Sequence, residues 1–132
     1  MEIKCVNGGL LTNIEVLELL KEKAESRAKT SSATATQLEF QNREAVTSKV
    51  IKYGERMGYV KYTSAGIASM LSQIKASNYG LTEAELMQIG NMLPRQVVEL
   101  HPLIEDCDKR FDEEKLESLL ETILKAFNSM NK

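Results

Sequence analysis

The sequence predicts a mainly α-helical fold preceded by one short β-strand. Three observations carry this reading. Glycine and proline are scarce, at 7 and 2 of 132 residues, and aromatic residues make up only 5%, with no tryptophan. Sandwiches and barrels need more turn residues and more β-formers than that. Helix-start signals of complete capping-box form stand at Thr12 and Thr82. Apolar residues recur at helical spacing, most clearly at Leu116, Leu119, Leu120, Ile123, Leu124 and Phe127. With 42% hydrophobic residues the chain is able to bury a core, and its length suits one domain with an appendage.

Glu2 to Val6 alternates, with Ile3 and Cys5 on one face and Glu2 and Lys4 on the other. So short a strand is not stable alone, and no other convincing strand follows to pair with it. Its expected place is the edge of a partner's sheet. Asn7-Gly8-Gly9 reads as a hinge, because the strand–GxxxxGK–helix setting of a phosphate loop is missing.

Thr12 then caps a helix, with Glu15 completing the box and Leu11 and Val16 placed as a hydrophobic staple. Val16, Leu17, Leu19, Leu20 and Ala24 give this helix a broad apolar face as far as Arg27 or Ala28. Residues 29–37, KTSSATATQ, are small and polar without periodicity, the pattern of a flexible linker. The chain thus divides into a partner-binding strand and helix over 1–28, the linker over 29–37, and a helical bundle over 38–132.

From Glu39 helical periodicity returns. Val46, Val50, Tyr53, Met57 and Val60 form one stripe, expected to face the core, and Gly58 ends the helix. Ser64 is the candidate cap of the next helix, with Ile67, Met70, Leu71 and Ile74 facing inward and Asn78-Tyr79-Gly80 closing it as a turn. Thr82 and Glu85 form the second box and Leu81 staples to Leu86, after which Leu86, Ile89 and Leu93 point inward. Pro94 and Pro102 interrupt the pattern, because a proline inside a helix costs about 3 kcal/mol. A break near His101 follows. The final helix starts at Asp112, stapled by Phe111 and Leu116.

Chemistry is harder to find than structure. His101 is the single histidine; it is able to pair with Glu99 or Glu105, but no nucleophile stands in a known motif beside it. One His and two distant cysteines, Cys5 and Cys107, do not make a zinc site, and their spacing suits ordinary reduced thiols. The acidic stretch from Glu105 to Glu114 lacks the spacing and turn glycine of a calcium loop. No cofactor and no metal is expected. No apolar run approaches the ~18 residues of a membrane span, and the N-terminus lacks the apolar core of a signal peptide, so a soluble cytosolic or nuclear protein is expected.

Net charge is −2, but residues 1–80 carry +3 and residues 81–132 carry −5. The C-terminal part should therefore repel a phosphate backbone. The competing surface is basic: Lys49, Lys52, Arg56 and Lys61 lie among Tyr53, Tyr59 and Tyr62, and tyrosines stack on unpaired bases. Yet Tyr53 falls on the apolar stripe, and four basic residues are ordinary for a solvated face. Weak or no direct nucleic-acid contact is expected there. A free helical module for single-stranded nucleic acid is the alternative reading.

Two blocks carry a family resemblance. One is Leu10-Leu11-Thr12-Asn13-Ile14-Glu15-Val16-Leu17-Glu18-Leu19-Leu20. The other runs from Leu81-Thr82-Glu83-Ala84-Glu85 through Pro94 and Val98-Glu99 to the Glu105–Leu120 segment. Val50-Ile51-Lys52-Tyr53 lies between them. In this order, over nearly the whole chain, they resemble the small stalk subunit of RNA polymerase III, the calcitonin gene-related peptide receptor component protein family. That family is homologous to the fourth-largest subunit of RNA polymerase II and to the corresponding archaeal stalk subunit, either of which is an alternative assignment. Residues 54–80 depart from the pattern, and Gly90 stands where the family usually has leucine.

The resemblance implies a bundle of the HRDC-like type and a non-catalytic role in a nuclear DNA-directed RNA polymerase. It implies a strand and helix that join a larger stalk subunit with an S1/OB barrel as a heterodimer. Contacts with the polymerase III core and with initiation factors, in support of initiation at small RNA genes, come with it. The residues expected to meet the stalk partner are Ile3, Cys5, Leu10, Leu11, Val16, Leu17 and Leu20.

Overall fold

A computed structural model of the chain describes residues 2–6, 8–29 and 37–130. Among them the elements are α1 (Asn13–Lys29), α2 (Gln37–Arg56), a 3₁₀ turn (Tyr59–Lys61), α3 (Ser64–Ala76), α4 (Glu83–Met92), α5 (Val97–Leu100), a second 3₁₀ turn (His101–Leu103), α6 (Cys107–Arg110) and α7 (Glu113–Met130). The mainly helical expectation holds. Residues 2–6 form no strand, and among the described residues there is no other strand with which they could build a ladder. The expected linker lies mostly outside the described residues; Lys29 still belongs to α1 and Gln37 opens α2.

Local signals set the helix starts. In α1 the Thr12 N–H donates to Glu15 Oε2 at 2.6 Å, and the Glu15 N–H returns to Thr12 Oγ1 at 3.2 Å. Thr82 and Glu85 make the same reciprocal pair at 2.9 and 3.3 Å. For α7, Asp112 Oδ1 accepts from the Lys115 N–H at 2.8 Å. These bonds satisfy backbone donors that the helix itself leaves unpaired. Thr63, rather than Ser64, caps α3: its hydroxyl accepts from the Gly66 N–H at 3.1 Å, and Ser64 is already the first helical residue. Thr82→Ala is expected to lower stability by about 1 kcal/mol. Chemical denaturation should show this as a lower midpoint at unchanged slope; an unchanged midpoint would mean that the box contributes nothing.

The core forms where α3 meets α7. Ile67, Met70 and Ile74 of α3 pack with Leu116, Leu119 and Ile123 of α7, and Leu86, Ile89, Leu100, Ile104 and Phe111 complete the cluster. Tyr79 ties the α3–α4 turn to α7 through Ser118 Oγ at 2.8 Å. The proline-marked break is realised: α4 stops at Met92 with Leu93 in the left-handed region, and the second 3₁₀ turn contains Pro102. His101 pairs with Asp108 at 3.3 Å, not with Glu99 or Glu105. Glu99 is instead occupied in accepting from the Arg95 and Gln96 N–H groups, at 2.6 and 3.1 Å.

One expectation is reversed. The stripe Val46, Val50, Tyr53, Met57 and Val60 does not face the core; all five are exposed. The side of α2 that packs is its small one. A Cβ on Gly54 would lie 2.7 Å from Leu17 Cδ1, so the bare glycine leaves room for the Leu17 side chain as it stands. Thr47, also buried, folds its hydroxyl back onto the Arg43 carbonyl at 2.9 Å. Gly58, at φ +80°, stops the helix as expected.

Candidate partner-docking surface

Helix α1 is held in place from three sides. Ile14 is inserted in the core. The Asn13 N–H donates to Asn91 Oδ1 at 2.8 Å, and Asn13 Nδ2 to the Tyr59 hydroxyl at 3.2 Å. The Ser64 N–H donates to Glu18 Oε1 at 2.9 Å, and the hydroxyl and N–H of Ser64 together lower the Glu18 pKa. Along its length α1 lies antiparallel to α2, with Lys21–Glu55 at 3.3 Å and Arg27–Glu44 at 2.6 Å.

On this fixed support sits an apolar surface that no described segment covers. Ile3 is 76% exposed, Val6 97%, Leu10 63% and Leu11 53%. Val16 and Leu19 on α1 are partly uncovered, and Cys5 is exposed. Burying large aliphatic side chains is worth about 1.5–3 kcal/mol each, and a run of exposed ones marks an interaction surface. Of the residues expected to meet a partner, Ile3, Cys5, Leu10, Leu11 and Val16 therefore lie at the surface. Leu20 is half-buried. Leu17 is only 5% exposed and is already used against Gly54, so it supports the surface from within. A shallow depression of about 280 Å³ opens among Leu11, Glu15, Glu18, Leu19 and Glu22, so its lining joins two leucines to three carboxylates.

Lys49, Lys52 and Arg56 are exposed on α2. Tyr59 and Tyr62 are not arranged with them as a stacking platform, since both pack against the core and Tyr62 meets the Phe127 ring edge-on at 5.6 Å. Among the described residues no group of His, Cys, Asp and Glu is placed to hold a metal ion, and no helix is long and apolar enough to cross a membrane.

In the sequence Glu85 stands out only as a capping residue. In the folded chain it is buried and gripped by Arg110. Both guanidinium arms reach the carboxylate, Nη2 at 3.2 Å from Oε2, and the Glu105 N–H donates to Oε1 at 3.1 Å. The same guanidinium donates to the carbonyls of Gly80 and Glu105, both at 2.9 Å. The Arg110 hydrogen bonds outweigh the cost of burial and hold the Glu85 pKa down to about 2. This network is scaffold: it locks the α3–α4 turn to the segment before α7.

The fold is a helical bundle with an uncovered apolar N-terminal arm. The chain belongs to the RNA polymerase Rpb4 family, whose model matches residues 10–127. It is 31% identical over 133 residues to the fission yeast (Schizosaccharomyces pombe) DNA-directed RNA polymerase III subunit rpc9, covering 96% of this chain and 99% of that one. Identity to the Dictyostelium discoideum rpc9 is 32% over 107 residues, 78% of this chain and 74% of that one. The match to Saccharomyces cerevisiae RPC9 is 38% over 72 residues, 54% of this chain but only 44% of that longer subunit.

Proposed function

We propose that the chain is a non-catalytic subunit of nuclear RNA polymerase III. Its N-terminal arm and the outer side of α1 dock on a larger stalk subunit of S1/OB type, and the heterodimer supports initiation. The observation that carries this reading is the arm itself. Ile3, Val6, Leu10 and Leu11 stand uncovered ahead of a helix that is rigidly anchored in the core. In the docked state residues 2–6 add as an edge strand to the partner's sheet, which supplies the ladder of hydrogen bonds that a strand requires. The names of the three relatives favour polymerase III over polymerase II or an archaeal enzyme.

Co-expression with the S1/OB stalk subunit of the same organism should give a stable 1:1 complex. The triple variant Ile3→Asp/Leu10→Asp/Leu11→Asp is expected to weaken it by at least about a hundredfold, since each buried charge costs several kcal/mol. The variant should remain folded with at most a small change in thermal midpoint, because all three side chains are more than half exposed. A chain that stays monomeric beside that subunit would end this reading.

A further inference from the structure

We propose that the exposed face of α2 is a second docking site, which borders the stalk-partner surface at Val16 but is centred on α2, and that its occupant is an acidic amphipathic helix of another protein. Val46 is 62% exposed and Tyr53 56%, with Val50 and Met57 in line with them. From Val46 to Met57 the stripe runs about 16 Å, three helical turns. Val50 and Tyr53 also form one wall of a shallow groove of about 140 Å³, with Val16 and Leu17 of α1 opposite. A groove between two antiparallel helices, lined at this spacing, suits a third helix anchored by residues at i, i+3, i+4 and i+7.

Charge selects the occupant. Helical geometry places Lys49, Lys52 and Arg56 along the side of the stripe away from α1. None of the three has an ion-pair partner among the described residues. The acidic residues in the middle of α2 are already committed, Glu44 to Arg27 and Glu55 to Lys21. The face therefore offers an apolar strip with a positive border, which an apolar helix with acidic flanks complements.

Other occupants fit less well. Single-stranded nucleic acid needs a series of exposed rings, and Tyr53 is the one ring on a strip otherwise made of valine and methionine. Residues 30–36, TSSATAT, contain no large apolar side chain to fill the groove from within the chain. A second copy packed antiparallel would set Lys49, Lys52 and Arg56 against their own counterparts.

The test uses the full chain and a synthetic helical peptide of about 18 residues, with leucines at alternating spacings of three and four and glutamates between them. Fluorescence anisotropy should show saturable binding that weakens with salt. The peptide with lysine in place of glutamate should bind at least about tenfold less well. Val50→Asp/Met57→Asp should weaken binding of the acidic peptide roughly tenfold or more, and Lys49→Glu/Lys52→Glu/Arg56→Glu by a similar factor. Circular dichroism should show both variants folded, since all five side chains are on the surface. Equal binding of the two peptides, no binding, or variants without effect would overturn the proposal. So would tighter binding of a single-stranded oligonucleotide lost in the same variants, self-association of the chain through this face, or complete blockage of the peptide by the stalk subunit.

Discussion

Glu85→Gln is expected to lower folding stability by about 3 kcal/mol at pH 7, and to flatten the fall in stability that the wild type shows in the acid range. The carboxylate is buried and receives hydrogen bonds from both arms of Arg110, from Thr82 and from Glu105. Its pKa lies near 2 when folded, against an ordinary value of 4.5. Folding therefore favours the ionised form. The stabilisation is fully present above about pH 4.5 and is lost as pH falls toward 2. Each unit of pKa difference corresponds to about 1.4 kcal/mol, which gives the figure of about 3. The amide in the variant keeps the shape but turns a donor toward a guanidinium that has only donors. Urea denaturation from pH 7 down to pH 2 checks both parts. The wild type should lose stability steeply in the acid range, and the variant should show a shallower slope that converges on it at the acid end. Parallel curves would show that Glu85 is not the titrating group.

The other large effect belongs to the core. Leu119→Ala is expected to cost about 3–4 kcal/mol, because Leu119 is fully buried where α7 meets α3 and its loss leaves a cavity as well as less buried surface. For a domain of this size that is a fall of about 10 °C in the thermal midpoint. Val98→Ala is the control: Val98 is 67% exposed, and the substitution should stay within about 0.5 kcal/mol. Calorimetry decides between them, and similar shifts for both would contradict the placement of the core.

What the sequence made readable was local. The boxes at Thr12 and Thr82 each involve residues three apart, so their hydrogen bonds follow from the order of residues alone. The stripe of α7 was equally clear, with Leu116, Leu119 and Ile123 all buried. Helix α2 shows where such reading stops. Periodicity reveals that one face of a helix is apolar, but not whether this chain or another molecule covers it. The face that packs instead contains Thr47 and Gly54, chosen for closeness rather than hydrophobicity, and no hydropathy pattern marks it. Leu17, expected at the partner's surface, is consumed in that same contact. The Glu85–Arg110 pair was hidden for another reason: its members are 25 residues apart, and only the folded chain brings them together. Cys107 is likewise a consequence of assembly, its thiol pKa raised mainly by burial in the core.

The pairing of α3 with α7 also orders events during synthesis. The apolar face of α3 is made early, yet its cover comes from Glu113–Met130, near the end of the chain. On the ribosome, Ile67, Met70 and Ile74 must wait for α7 to emerge, exposed to whatever else is near. The N-terminal arm is already outside by then. Under the docking proposed above, a stalk subunit present during translation would take hold of the arm before the bundle closes, and assembly and completion of the fold would become one process rather than two.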